Sequence, residues 1–141
     1  MIGSSGPCSS FKVELLEGLH DFRSDEFRMA LYTAEADLHV DQTTAYVMED
    51  EITGPGYVAG GRILENVEIL GPAARTAFVT WDDVIWPAAT LTARGALIYN
   101  QTSAQRAVAI LNFLTDRSSN MGEFRVQLPP PTPSTALIRL L

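Results

Sequence analysis

Hydrophobic and polar positions alternate along most of this chain with the period of two that marks β-strands. Phe27, Met29 and Leu31 share one parity, with Glu26, Arg28, Ala30 and Tyr32 on the other. This predicts a strand with one apolar face that ends near Thr33. Residues 34–44 are polar and read as a loop, and residues 45–48 read as a short strand. Four further strands are expected at 62–70, 76–84, 88–99 and 105–115. In the second of these, Phe78 and Trp81 break strict alternation, which points to a bulge or a strand end near Asp82. In the third, Leu91, Ala93, Gly95, Leu97 and Tyr99 form one row, and Thr90, Thr92, Arg94, Ala96 and Ile98 the other. The connection at 100–105 has hairpin chemistry. The fourth, RAVAILNFL, is apolar on both faces and reads as a central buried strand. A helix competes there, but the flanking turn residues and the pairing with the preceding strand favour β. Phe124, Val126 and Leu128 mark another strand after the DRSSNMG loop. Pro129, Pro130, Pro131 and Pro133 then impose an extended stretch, and residues 134–141 form a last strand.

The beginning of the chain reads differently. Residues 1–10, MIGSSGPCSS, are mostly small, and Gly3, Gly6 and Pro7 argue against regular structure. They read as a flexible arm that orders on a partner, so that deleting it would weaken attachment and leave the domain folded. Phe11, Leu15, Leu16 and Leu19 then fall on one face at helical spacing, with Ser9 or Ser10 as N-cap and Gly18 as terminator. The stretch is short enough that a strand competes. The whole pattern gives seven or eight short strands in a single domain spanning 11–141, preceded by the arm. That is an all-β chain, a β-sandwich of jelly-roll-like or Ig-like kind. No repeat and no internal linker divides it.

A length of 141 residues suits one domain, and 46% hydrophobic residues suffice for a core. The net charge of −7 and the absence of any basic run argue against nucleic acid and against an anionic membrane surface. They suit docking onto a basic partner. No apolar run reaches the length of a membrane span, and the first ten residues lack the pattern of a signal peptide. Cys8 is the only cysteine, so intrachain disulfides and cysteine-rich metal sites are excluded. This fits assembly in a reducing compartment.

Candidate chemistry is sparse. GPGYVAGG, residues 54–61, packs four glycines and a proline into eight positions. It lacks the Lys-Ser/Thr ending of a phosphate loop, so it reads as a structural turn. Val at Gly60 or Gly61 is expected to cost about 1 kcal/mol or more if the position holds positive φ. His20 and His39 are the only histidines, with Asp21 and Asp41 nearby. Their spacing matches no zinc ligand array. Asp82 and Asp83 are adjacent and would point to opposite faces of a strand, so they cannot face each other across a glycosidase cleft. Glu49, Asp50 and Glu51 read as a solvated loop rather than a calcium site. Ser9, Ser10, Ser24, Ser103, Ser118, Ser119 and Ser134 lie in the arm or in polar connections, outside any nucleophile-elbow pattern. A thiol at Cys8 would have no fixed partner in a mobile arm. Trp81 and Trp86 could stack on a sugar, although core aromatics are the commoner use. No catalytic, cofactor or metal residue is therefore assigned.

Several segments together resemble a widespread family of small structural proteins of tailed bacteriophages. They are MALYT (Met29 to Thr33), Tyr46, EITGPGYVAGG (Glu51 to Gly61), WDDVIW (Trp81 to Trp86), TARGALIYN (Thr92 to Asn100), RAVAILNF (Arg106 to Phe113) and ALIRLL (Ala136 to Leu141). The resemblance covers residues 20–141 and implies a virion component without catalysis, assembled in the host bacterial cytoplasm. It implies a capsid decoration or cement protein on the capsid surface, bound to the major capsid protein and associated as a homo-oligomer, with a trimer among the expected states. A tail-associated adaptor or fibre-base protein bound to tail proteins is the second expectation. A carbohydrate-binding attachment module with an exposed Trp81–Trp86 pair is the third.

Overall fold

The computed structural model describes residues 1–140. The elements are β1 (Gly6–Pro7), α1 (Ser9–Leu16), β2 (Phe27–Tyr32), β3 (Arg62–Ile63), β4 (Glu68–Ala73), β5 (Thr76–Thr80), β6 (Val84–Ala89), β7 (Thr92–Asn100), β8 (Arg106–Ser118), β9 (Gly122–Val126) and β10 (Ile138–Leu140). A five-stranded sheet has the order β1-β8-β7-β2-β3, a three-stranded sheet β10-β5-β4, and β6 pairs with β9. Every strand pair is antiparallel. Met29, Leu31, Leu97 and Ile110 of the large sheet share one core with Val79, Trp86, Phe124 and Ile138 of the other two. The chain is thus mainly β and sandwich-like, as its alternation implies.

Several elements differ from the sequence pattern for identifiable reasons. The expected strand 62–70 is broken into β3 and β4, with Asn66 between them at φ 54°. The strand expected at 76–84 ends at Thr80, and the Asp82 N–H bonds to the Glu65 carbonyl. This is the interruption signalled near Asp82. The described residues thus form ten strands rather than seven or eight. Residues 45–48 form no strand. Ala45 makes a single bridge to Arg106. β2 is buried on both faces rather than one, and residues 51–64 run along its outer edge. There Ile52 N–H bonds to Leu31 O, and Arg62 pairs with Met29. β8 is a strand, not a helix, and its apolar stretch 107–111 lies between β7 and β1.

The first ten residues are not a loose arm. Gly6 and Pro7 pair with Ile110 and Ala109 on the edge of β8. Ile2 bridges Leu38 and is buried. Asn112 clasps the segment, donating from Nδ2 to the Ile2 and Gly3 carbonyls and from its N–H to Ser5 Oγ. The small residues that read as flexibility allow this close approach. A Cβ on Gly95 would lie 2.7 Å from Ile2, so the glycine is the seat for that side chain.

α1 begins at Ser9, earlier than expected, with Cys8 at the N-cap and no side-chain cap. Ser9 Oγ bonds instead to Asp41 at 2.6 Å. Gly18, at φ 76°, ends the helix in a Schellman motif: Leu19 N–H reaches Glu14 O at 3.0 Å and Gly18 N–H reaches Leu15 O at 3.2 Å. Phe11 is buried, Leu15 and Leu19 are half-buried, and Leu16 is 91% exposed, so it lies off the apolar face.

Candidate functional site

The glycine-rich loop is held by a tyrosine cluster. Glu51 accepts hydrogen bonds from the Tyr46 and Tyr57 hydroxyls and from Gly60 N–H. Tyr57 Oη in turn accepts from Leu31 N–H, Tyr99 donates to Gly60 O, and Tyr32 donates to Val47 O. Tyr46 stacks on Tyr99 with ring centroids 4.6 Å apart, and Tyr57 stacks on Trp86 at 6.0 Å. All four tyrosines of the chain thus fasten residues 46–61 to β2 and β7. The loop is a structural turn: its Gly60 N–H and Tyr57 hydroxyl go to the Glu51 carboxylate, and its Tyr57 and Gly61 N–H groups go to the Gly54 and Val58 carbonyls. Glu51 belongs to this cluster and not to a solvated acidic run.

Burial pushes the hydroxyls of Tyr32, Tyr46 and Tyr57 well above the ordinary tyrosine range, and the Glu51 charge beside them adds to it. A group whose folded pKa is raised contributes stability that is complete below its unfolded value and lost as pH rises past it. The unfolded value is about 10. Above that pH, stability is expected to fall, with phenolate absorbance appearing in step with unfolding. Phenolate signal from all four rings in a still-folded chain would contradict this.

The two histidines are each consumed locally. His20 is buried between Phe11 and Phe27, with ring centroids 4.9 and 6.5 Å away. Ser103 N–H points at Asn100 Oδ1, so the Asn100 amide nitrogen faces two acceptors, Asp25 Oδ2 at 2.8 Å and His20 Nδ1 at 3.0 Å. This assigns the imidazole hydrogen to Nε2, which donates to Glu14 Oε1 at 3.0 Å. Arg106 Nε lies 3.5 Å from the other Glu14 oxygen. The arrangement fastens α1 to the β7–β8 turn and presents no hydroxyl or thiol to the histidine. His39 Nε2 meets Asp37 at 2.8 Å. Asp41 takes Ser9, and Asp21 turns back on Arg23 N–H and Ser24, bonds that hold its carboxyl below the usual range. The structure does not bring these residues together.

The other candidates are likewise engaged. Asp82 accepts from Asn66, and Asp83 pairs with Arg125. Ser10 donates to Thr43 O, Ser103 accepts from Arg106, and Ser118 meets Thr92. Ser119 donates to Ala89 O, and Ser134 meets Thr132. Cys8 is fully buried, and burial, with the charge of Glu14, pushes its thiol up to about 12. In the folded protein at neutral pH it is expected to resist a thiol reagent, with one equivalent reacting on unfolding. Rapid modification of the native chain would contradict that. Trp81 and Trp86 are 5% and 1% exposed, so neither offers a face to a sugar. The exposed pair that a carbohydrate module needs is not present.

Trp81, Asp82 and Asp83 lie together in a large concavity with residues that the pattern did not single out, among them Arg62, Glu65 and Arg117. A groove of about 1290 Å³ runs between the end of β8, the start of β6 and the proline-rich segment after β9. Trp81 lines it, and its indole Nε1–H is the buried side-chain donor that lacks an acceptor among the described residues. The break in alternation at Trp81 is the sequence signal at this place. Comparison of the chain with protein-family models, with curated proteins and with solved structures finds no match.

Proposed function

We propose that this chain is a bacteriophage virion structural protein of the capsid decoration or cement type, which binds the major capsid protein as a homo-oligomer and stabilises the shell. Its motifs support the phage assignment by resemblance. The observation that carries the docking role is the distribution of charge. From Met29 to Gly61 there are six carboxylates and no Lys or Arg, in a chain of net charge −7. Glu35, Asp37, Asp41, Glu49 and Asp50 of this stretch are exposed, with Val47, Met48 and Val58 exposed among them. Such a surface suits a basic lattice: charge steers the encounter, and the apolar side chains supply burial on contact. The sandwich beneath it is rigidly tied by the Glu51 and His20 clusters, so little ordering entropy opposes binding.

A protein that binds the assembled shell and not its free subunits stabilises the shell by mass action. Adding the purified protein to shells that lack it should raise the temperature at which they open. The gain should saturate with occupancy and weaken at high salt. Shells that open at the same temperature with and without bound protein would overturn the cement role.

A further inference from the structure

α1 carries apolar side chains on both of its sides. Phe11 is buried and Leu15 half-buried where the helix packs on β8, while Val13 and Leu16 are 60% and 91% exposed. A surface helix ordinarily has one apolar stripe and a polar face opposite it. Here the outward face also has an apolar centre. The exposed residues of α1 are Lys12, Val13 and Leu16, joined by Glu17 at its C-cap. At about 3.6 residues per turn these four make one continuous face, opposite Phe11 and Leu15. They run across it in the order Lys12, Leu16, Val13, Glu17, so the apolar pair is central and an opposite charge stands on each flank.

Neither charge is used within the chain. Lys12 is the only lysine of the protein. Among the described residues, neither it nor Glu17 makes an ion pair. The order of the four residues selects the occupant. Two copies of α1 that lie side by side and parallel, about a two-fold axis along them, bring the lysine flank of each to the glutamate flank of the other. Val13 and Leu16 then take the a and d positions of a parallel pair, and Lys12 and Glu17 the g and e positions that meet across it. A β-branched residue at a with leucine at d favours two strands. Antiparallel packing would set lysine beside lysine and glutamate beside glutamate. A partner segment of one charge sign would meet repulsion on one flank. The face is complementary to itself.

We propose that α1 is a two-fold contact between copies of this chain, closed by Val13 and Leu16, with Lys12 of each copy paired to Glu17 of the other. The two ion pairs oppose the repulsion between chains of net charge −7. A contact one helix wide is smaller than a standard stable interface, so the dimer is weak and depends on concentration. The inference rests on the reading that copies associate with one another and not on attachment to a capsid, so the free protein tests it.

The experiment is sedimentation of the free protein over a wide range of concentration. The parent should dimerise reversibly. Lys12→Glu and Glu17→Lys should each be monomeric where the parent is dimeric, because like charges then face each other on both flanks. An equal mixture of the two should recover a dimer holding one of each, and the double variant should recover a dimer on its own. Leu16→Glu should lose the dimer. All four variants should keep the parent's melting temperature, since the substituted side chains are exposed. A parent that is monomeric at every concentration would overturn the proposal, and with it the homo-oligomer in the functional reading. A dimer that both charge reversals leave intact, or a mixture of the two that stays monomeric, would overturn this contact alone. The shell-opening measurement does not depend on these outcomes and tests the capsid role separately.

Discussion

Replacing Gly61 by valine is expected to cost about 4–5 kcal/mol and to leave little soluble folded protein. Gly61 sits at φ 81°, and a Cβ there would lie 1.8 Å from Met29 O and 2.8 Å from Ala30 Cα. Both atoms belong to the backbone of β2, which is buried on both faces and has no room to retreat. The Arg62–Met29 pairing that closes the edge of β2 would be lost with it. Gly60 tests the same loop more gently. It also has positive φ, at 95°, but its nearest neighbour is the Tyr99 hydroxyl at 3.3 Å. Gly60→Ala is expected to cost about 1 kcal/mol, chiefly from the backbone. Urea unfolding of the three proteins checks the order, and a Gly61→Val midpoint equal to the parent's would reject the steric account. Total stability of such domains is about 5–15 kcal/mol, so the larger loss approaches all of it.

Removing residues 1–7 is the second large effect. The segment contributes the buried Ile2, the β1 pairing and the contacts clasped by Asn112. Burial of one such side chain is worth about 1.5–3 kcal/mol. With the lost hydrogen bonds the deletion is expected to cost about 3 kcal/mol, lowering the melting temperature by about 10 °C. It also bares the edge of β8, so the truncated chain should aggregate more readily. A melt matching the parent would restore the loose-arm reading of the sequence.

That segment shows where pattern reading stops. Its composition reports only that the backbone is free to adopt many shapes. Whether it docks depends on a slot at Gly95 and on Asn112, both far away in sequence. By contrast, β7 and β9 were legible because their apolar rows are decided by local period, and β8 because turn residues flank its apolar run and set it against the preceding strand. The Trp81–Asp82 interruption was legible for the same reason. The tyrosine cluster was half visible. Tyr46, Glu51 and Tyr57 flank the glycine-rich turn in sequence, but nothing local says that one carboxylate gathers both hydroxyls. The His20 arrangement was not visible at all. Glu14 reaches His20 only because the Schellman turn at Gly18 reverses the chain, and Asn100 arrives from β7. The exposure of β4 was also hidden, since EIL reads like any other apolar run.

The central claim is that the chain coats a capsid. Imaging purified virions with and without this protein tests it most directly. Density over the capsid lattice, present only in the complete particles and accompanied by more fragile shells in its absence, is the expected result. Density confined to the tail or portal axis, or none on the particle, would contradict it.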